Sequence, residues 1–382
     1  MKRSITIAAT AVLLSTAVIL SGCSADGGGG EPVNPDREAG DLTGLRLAFA
    51  IPTSGGEVFV NQAEMFKAQA EELGATVDIY DNNGDAVTML SNADLMVASQ
   101  PDVIVEYAPV ADATDRVGDK FADAGIPCIA LNVPVKGCAL FNFDQPYLAA
   151  LGAEAMAAQM ADRGWDASNT TVIIGQASEL GESVNIAVTS FYAELSTLVP
   201  GMTPVKSSDI TPTTTVINEQ GLQADLGLTP DSGYEGVLAA LQTVPADRNV
   251  IVYTVSDDTT VGVIRALESL GRSDAAMVSG YGGGLEALTA VRDGSIWTTE
   301  QMGFFAYWGQ FALAMVAAIE QGATIPELTS PPMVVLTKDN VDQFFTPGTD
   351  ELLVMPELPE SSRYLIETGI LQHYDNVEGA RG

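Results

Sequence analysis

A single histidine, His373, stands among 382 residues, close to the carboxyl end. A histidine base, a Ser-His-Asp triad or a multi-histidine metal site therefore has nothing to be built from. Basic residues are also scarce: 17 Lys and Arg face 50 Asp and Glu, for a formal charge of −33. Nucleic acid is excluded as a partner, since its phosphates need clustered Lys and Arg, and tight binding to an anionic membrane surface is disfavoured for the same reason. Only three cysteines occur, with no CxxC or Cys/His metal spacing, so neither a metal nor another cofactor is expected. What is plentiful is apolar surface, 46% of residues against 18% charged. A large core is expected, and the length suggests two to three domains.

The start of the chain reads as an export segment. Lys2 and Arg3 precede an apolar or small run from Ser4 to Leu20, which is short for a membrane span. Then comes Leu20-Ser21-Gly22-Cys23, which resembles the bacterial lipoprotein cleavage box. The resemblance implies cleavage before Cys23 and lipid on its sulfur and new amino terminus. A plain signal peptide or an uncleaved anchor would use the same apolar run. Residues 1–22 are thus expected to be a lipoprotein signal peptide. Residues 23–44, with four consecutive glycines and no apolar period, are expected to be a flexible tether. The remaining cysteines, Cys128 and Cys138, either form a bridge in an oxidising setting or stay as two buried thiols.

The body alternates short apolar runs with amphipathic stretches. Leu45 to Ile51 reads as a strand, followed by a polar loop. A helix follows, on which Phe59, Ala63, Phe66, Ala70 and Leu73 recur at spacings of four and three. Strands are expected at Thr76 to Tyr80, Val103 to Tyr107 and Cys128 to Asn132, with helices between them. The pattern restarts with a strand at Ala139 to Phe143, a helix over Pro146 to Arg163 and strands near Thr171 to Gln176, Val250 to Thr254, Met277 to Gly280 and Ile296 to Gln301. A long helix then covers Phe304 to Gln321. Thr203 to Tyr234 is threonine-rich and carries only a weak helical signal around Val216 to Leu226. Such βαβα alternation predicts an α/β fold with parallel sheets covered on both faces, here in two units without a convincing sequence repeat. Ligands of parallel sheets bind outside the carboxyl ends of strands. The loops after Ile51, Tyr107, Asn132, Gln176, Thr254, Gly280 and Thr299 are therefore the ones to watch.

Several segments together resemble the periplasmic sugar-binding proteins of the ribose-binding type, the soluble component of ABC importers. They are LAFAIPTSGGEVFV from Leu47, Ala124-Gly125-Ile126-Pro127-Cys128-Ile129-Ala130, Ser256-Asp257-Asp258-Thr259 to Leu267, and Ser279-Gly280-Tyr281-Gly282-Gly283. Their order over some 300 residues carries the resemblance more than any one of them. It implies two similar doubly wound parallel-sheet lobes joined by a three-crossing hinge, with crossings near Phe143, near Gln301 and within 325–332. The expected lobes are 45–143 plus 302–327, and 144–301 plus 328–382.

The resemblance also implies ligand contacts at Thr53, Ser54 and Phe59, which follow the first strand. An Asp-Arg pair usual after the fourth strand is replaced by Asn132-Val133, and an arginine usual in the second lobe is absent, leaving Asn185. Asp257 and Gln301 fall on the family's polar positions, and Tyr107 and Tyr281 follow strand ends. Each has a plainer reading: Asn132 and Asp257 as caps, Phe59 as core. Trp297 and Trp308 read as core. Asp81-Asn82-Asn83-Gly84-Asp85 is not a calcium loop, because its Gly falls fourth and Asn92 stands where the last ligand should be. Gly280 to Gly284 is followed by Leu285 where a dinucleotide fingerprint needs Gly. Gly175-Gln176-Ala177-Ser178 is no nucleophile elbow.

The reading that follows is a monomeric, lipid-anchored extracytoplasmic binding protein. It captures a neutral sugar or polyol and delivers it to an ABC permease with its ATPase. The alternatives are a binding component of a membrane sensory system and an exported hydrolase using paired carboxylates.

Overall fold

The structure, a computed structural model, describes residues 38–55, 57–178 and 181–380. The signal segment, Cys23 and the expected tether as far as residue 37 lie outside the described residues.

In chain order the strands are β1 (Arg46–Ile51), β2 (Thr76–Asp81), β3 (Val103–Glu106), β4 (Cys128–Leu131), β5 (Ala139–Phe141), β6 (Thr170–Gln176) and β7 (Val216–Asn218). They continue with β8 (Gly221–Asp225), β9 (Asn249–Tyr253), β10 (Ala276–Tyr281), β11 (Trp297–Met302), β12 (Leu328–Thr329) and β13 (Val334–Leu336). The longer helices are α1 (Glu57–Glu72), α2 (Ala86–Ser99), α3 (Thr114–Ala124), α4 (Gln145–Arg163) and α5 (Glu182–Leu198). After them come α6 (Pro230–Leu241), α7 (Asp257–Ser269), α8 (Leu285–Asp293) and α9 (Trp308–Glu320).

Two sheets result. The first is parallel throughout, in the order β12-β5-β4-β3-β1-β2. The second runs β13-β11-β10-β9-β6-β8-β7, parallel except at its two edges. Central strands such as β3, β4 and β10 are buried along their whole length, which is why they read as unbroken apolar runs rather than alternating ones. This is the doubly wound α/β arrangement expected from the alternation.

The chain passes between the sheets three times, after β5, after β11 and between β12 and β13. Helix α9, which follows the second passage, is buried on nearly every side, so its sequence lacks a polar stripe. Phe304, at the start of this passage, is fully buried with φ 55°, a conformation unusual for an aromatic residue.

Three segments differ from the sequence reading. Val216 to Leu226 is an antiparallel hairpin, β7 and β8, not a helix, and β8 pairs with β6. The hairpin turns at Asn218, whose side-chain oxygen accepts from the Gln220 N–H and the Tyr192 hydroxyl. Helix α6 directly after it escaped the sequence reading, although Thr229 and Ser232 form a reciprocal cap and Pro230 opens its first turn. Residues 40–42, expected within the tether, belong to the fold. The Gly40 N–H donates to the Thr368 carbonyl, the Leu42 N–H to the Leu73 carbonyl, and the Leu42 side chain is buried in the first lobe. The carboxyl-terminal segment, expected with the second lobe, returns to the first beyond β13. Tyr364 bonds Thr329, Asn376 bonds Gln310, and Leu365 and Leu371 join the core that holds α9.

Cys128 and Cys138 are joined as a disulfide, fastening the start of β4 to the turn before β5. The Asp81 to Asp85 segment is the strand-to-helix turn expected of it, with Asp85 capping α2 through the Val87 and Thr88 N–H groups.

Candidate ligand-binding cleft

A cavity of about 530 Å³ opens between the two sheets, at the carboxyl ends of their strands. The first sheet contributes Phe59 and Gln62 from α1, Tyr107 after β3 and Asn132 after β4; Phe143 stands at the first passage, and Gln145 opens α4 on the side of the second sheet. The second contributes residues 255–258 after β9, Tyr281 and the glycines 282–284 after β10, and Met302, Phe305 and Ala306 around the second passage. Among the described residues, nothing positively charged lines it.

Many of the polar groups on the walls hold one another. The Tyr281 hydroxyl donates to Gln145 Oε1 at 3.0 Å within the second lobe, and Gln62 Nε2 donates to the Phe305 carbonyl at 3.0 Å within the first. The Tyr107 phenol meets the Asn132 side chain, and burial pushes its pKa up against that hydrogen bond. Burial also holds the Tyr281 phenol well above the ordinary tyrosine value. Asn132 sits at φ 64°, a left-handed conformation that asparagine tolerates better than most residues. Its carbonyl accepts from Asn142 Nδ2 at 2.8 Å, which fixes the bend after β4. The rings pack edge to face: Phe59 on Tyr107 at 5.3 Å, Phe143 on Tyr281 at 5.6 Å and Phe143 on Phe305 at 4.7 Å.

The second wall is acidic. Asp257 opens α7, and its Oδ2 accepts from the Gly284 N–H at 2.8 Å. Behind it lies Glu300 of β11, fully buried, whose Oε2 accepts from Trp297 Nε1 at 2.9 Å. The two carboxyls are in hydrogen-bond contact, with the Gly283 N–H close to both, yet Asp257 Oδ1 and Glu300 Oε1 lack a well-aligned donor among the described residues. A proton held between them satisfies both. Burial first, and then the Asp257 carboxylate, raise the Glu300 pKa well above the carboxylate range; burial also raises that of Asp257. The close fit requires glycine: a Cβ at Gly280 would collide with Glu300 and Trp297, and one at Gly282 would lie 2.7 Å from Asp257 Oδ2.

Of the residues expected at a site, Phe59, Tyr107, Asn132, Asp257 and Tyr281 meet at this cavity. Four do not. The Thr53 hydroxyl accepts from the Gly55 N–H, and Ser54 is an exposed loop residue whose N–H reaches Asp81. Asn185 turns its amide back onto the Ala177 N–H and carbonyl and the Gly181 carbonyl, closing the loop after β6. Gln301 is fully buried inside the second lobe, accepting from the Tyr253 hydroxyl and packed against Gly152. Strand alternation explains this last miss, since neighbours on β11 point to opposite faces and Glu300 takes the one toward Asp257. The sequence reading missed Gln62, Phe143, Gln145, Met302 and Phe305. Gln62 was within reach, three residues beyond Phe59 on one helix face. Phe143, Gln145 and Phe305 stand at the expected crossings. Trp297 and Trp308 are core, as expected.

Residues 47–324 match the family model for the periplasmic binding protein domain. The chain belongs to this family. The resemblance seen in the motifs, to the ribose-binding type, is thereby borne out. Solved structures share the fold. A solute-binding protein of an ABC transporter from Mycobacterium smegmatis, with bound glycerol, is 19% identical with a TM-score of 0.63, over 78% of this chain and 96% of that one. A counterpart from Agrobacterium vitis, with bound allitol, is 19% identical with a TM-score of 0.61, over 79% and 98%. A periplasmic ribose ABC transporter protein from Conexibacter woesei is 21% identical with a TM-score of 0.62, over 80% and 96%. Family membership makes the chain a solute-binding protein, not an enzyme, and places its folded part outside the cytoplasm. Among the described residues no helix is long and apolar enough to cross a membrane.

Proposed function

We propose that this protein captures a small hydroxylated molecule, a sugar or polyol, between its two lobes and hands it to an ABC import permease. The observation that carries this reading is the cavity at the facing strand ends, walled by rings on one side and directed polar groups on both. Rings pack on the C–H faces of such ligands, while amides and carboxylates fix the directions of their hydroxyls. Glycerol and allitol in similarly folded proteins support the same class. Lobe closure would exclude water, so a mismatched hydroxyl would be costly. The site residues are Phe59, Tyr107, Asn132, Asp257 and Tyr281, joined by Gln62 and Gln145. The protein works as a monomer, tied to the membrane by lipid on Cys23.

A thermal-shift screen against aldoses, ketoses and polyols tests this, followed by calorimetry on any hit. A ligand at a hundred times its Kd adds about 2.7 kcal/mol. Small-angle scattering is expected to show compaction with the hit present. No stabilisation by any member of the three classes overturns the ligand class. An unmodified Cys23 in the mass spectrum of the exported protein overturns the anchor.

A further inference from the structure

The walls of the cleft are unbalanced in charge. Asp257 and Asp258 line it, Glu300 stands directly behind Asp257, and among the described residues no Lys, Arg or His lines it. A carboxylate withdrawn from water needs a partner of opposite charge or a proton. Two carboxyls in contact that share a single proton carry one negative charge between them beside the cavity, and Asp258 adds its own next to it. The Gly284 N–H and the amino end of α7 offset part of it, but neither carries a full positive charge. Five rings line the same cavity, Tyr281 from the second lobe and Phe59, Tyr107, Phe143 and Phe305 from the first lobe and the passages. Ring faces attract cations, and more strongly where water is excluded. The hydroxyl of Tyr281 and one amide hydrogen of Gln62 that would otherwise serve neutral groups are already engaged within the protein.

We propose that the ligand carries a protonated amine, an amino sugar or amino-polyol whose ammonium group sits between the Asp257 carboxylate and the aromatic wall. This rests on the hydroxylated-ligand reading above and narrows it. The ammonium supplies the charge that the cleft lacks and donates to Asp257 by a charge-assisted hydrogen bond. Its hydroxyl-bearing remainder faces Asn132 on the other lobe and Gln145 beside the first passage.

Matched sets test the assignment: D-glucose, D-galactose, D-mannose and D-sorbitol, each beside its amino-deoxy form and the N-acetylated, uncharged amine. Calorimetry at pH 7 is expected to show at least one amine binding tenfold or more tighter than both neutral partners. That preference should shrink as salt is raised. Asp257→Asn should bring the amine to within threefold of its neutral partner, with circular dichroism reporting that the variant is folded. Asp258→Asn, in the exposed and better solvated position, should reduce the preference less. A neutral member binding as tightly as its amine overturns the amine assignment and leaves the sugar or polyol reading standing. Binding by no member of any set overturns both.

Discussion

Each sheet buries a glutamate near the carboxyl end of a central strand, and the two are treated differently. Glu106 ends β3, and its Oε1 accepts from Asn82 Nδ2 at 2.7 Å; Asn82 in turn accepts from Asn92 Nδ2 at 2.9 Å. These three side chains are buried and away from the cleft. Glu300 on β11 is equally buried but has a second carboxyl, Asp257, for a neighbour, and Asp257 lines the cleft. Burial raises the pKa of both glutamates. The first acid is closed into a ladder of amides, which have no charge to exchange. The second is coupled through one shared proton to the surface that meets the ligand. The same residue type at equivalent heights in two sheets therefore serves packing in one lobe and sets the charge of the site in the other.

The largest effect expected from this contrast is on stability against pH. Burial pushes the Glu106 pKa up to about 8, from 4.5 in the unfolded chain. The folded protein thus holds a proton that the unfolded chain has released. The Glu106 contribution is complete below pH 4.5 and is lost as pH rises toward 8, at no more than about 1.4 kcal/mol per pH unit. Glu106→Gln keeps an acceptor for Asn82 and removes the titration, so its unfolding free energy should fall less steeply across this window. Urea unfolding of both proteins from pH 5 to pH 8 measures the two slopes. Parallel slopes would mean that Glu106 does not hold its proton.

Next in size is ligand affinity. Asp257→Ala removes a charged acceptor from the cleft and should weaken binding of a sugar or amino sugar by about 1.5–3 kcal/mol, read by calorimetry. The empty protein should lose little stability, because the change also relieves the crowding of two carboxyls. Asn132→Ala should cost affinity about 0.5–1.5 kcal/mol, the range for a neutral hydrogen bond. If Asn132→Ala proves the more damaging, ligand selection lies with the first lobe and the contrast drawn above is reversed.

What could be read from the chain divides along the same physical line. Strands β1, β3, β4 and β10 were legible because burial on both faces leaves an uninterrupted apolar run. The loops that would reach the cleft were legible too, because a parallel sheet gathers its strand ends on one side. The direction in which each loop side chain turns was not, since a distant partner decides it. Asp257 faces the cavity because Gly284 and Glu300 hold it there; Asn185 faces away because Ala177 takes its amide. The hairpin β7–β8 was illegible because three- and five-residue strands give no resolvable period. The tail was illegible because Leu358, Leu365 and Leu371 enter the core singly, the last two from one-turn helices at Tyr364–Glu367 and Leu371–His373 too short to show a period.

The smallest effect on affinity is expected at Asn185, and it separates the two kinds of loop. Its Oδ1 accepts from the Ala177 N–H at 2.9 Å, and its Nδ2 donates to the Ala177 and Gly181 carbonyls, each at 2.8 Å. These bonds tie the first turn of α5 to Ala177 and Gly181 before it, and none of the three residues lines the cavity. Asn185→Ala leaves the Ala177 N–H and carbonyl without these partners and should lower stability by about 1–2 kcal/mol. Affinity should stay within threefold of the unchanged protein, because the atoms removed are not at the ligand. Calorimetry and urea unfolding on one preparation give both numbers. A loss of affinity as large as that of Asp257→Ala, without the loss of stability, would mean that this loop swings into the cleft when the lobes close. Asn185 would then belong to the site after all, as its place in the sequence first suggested.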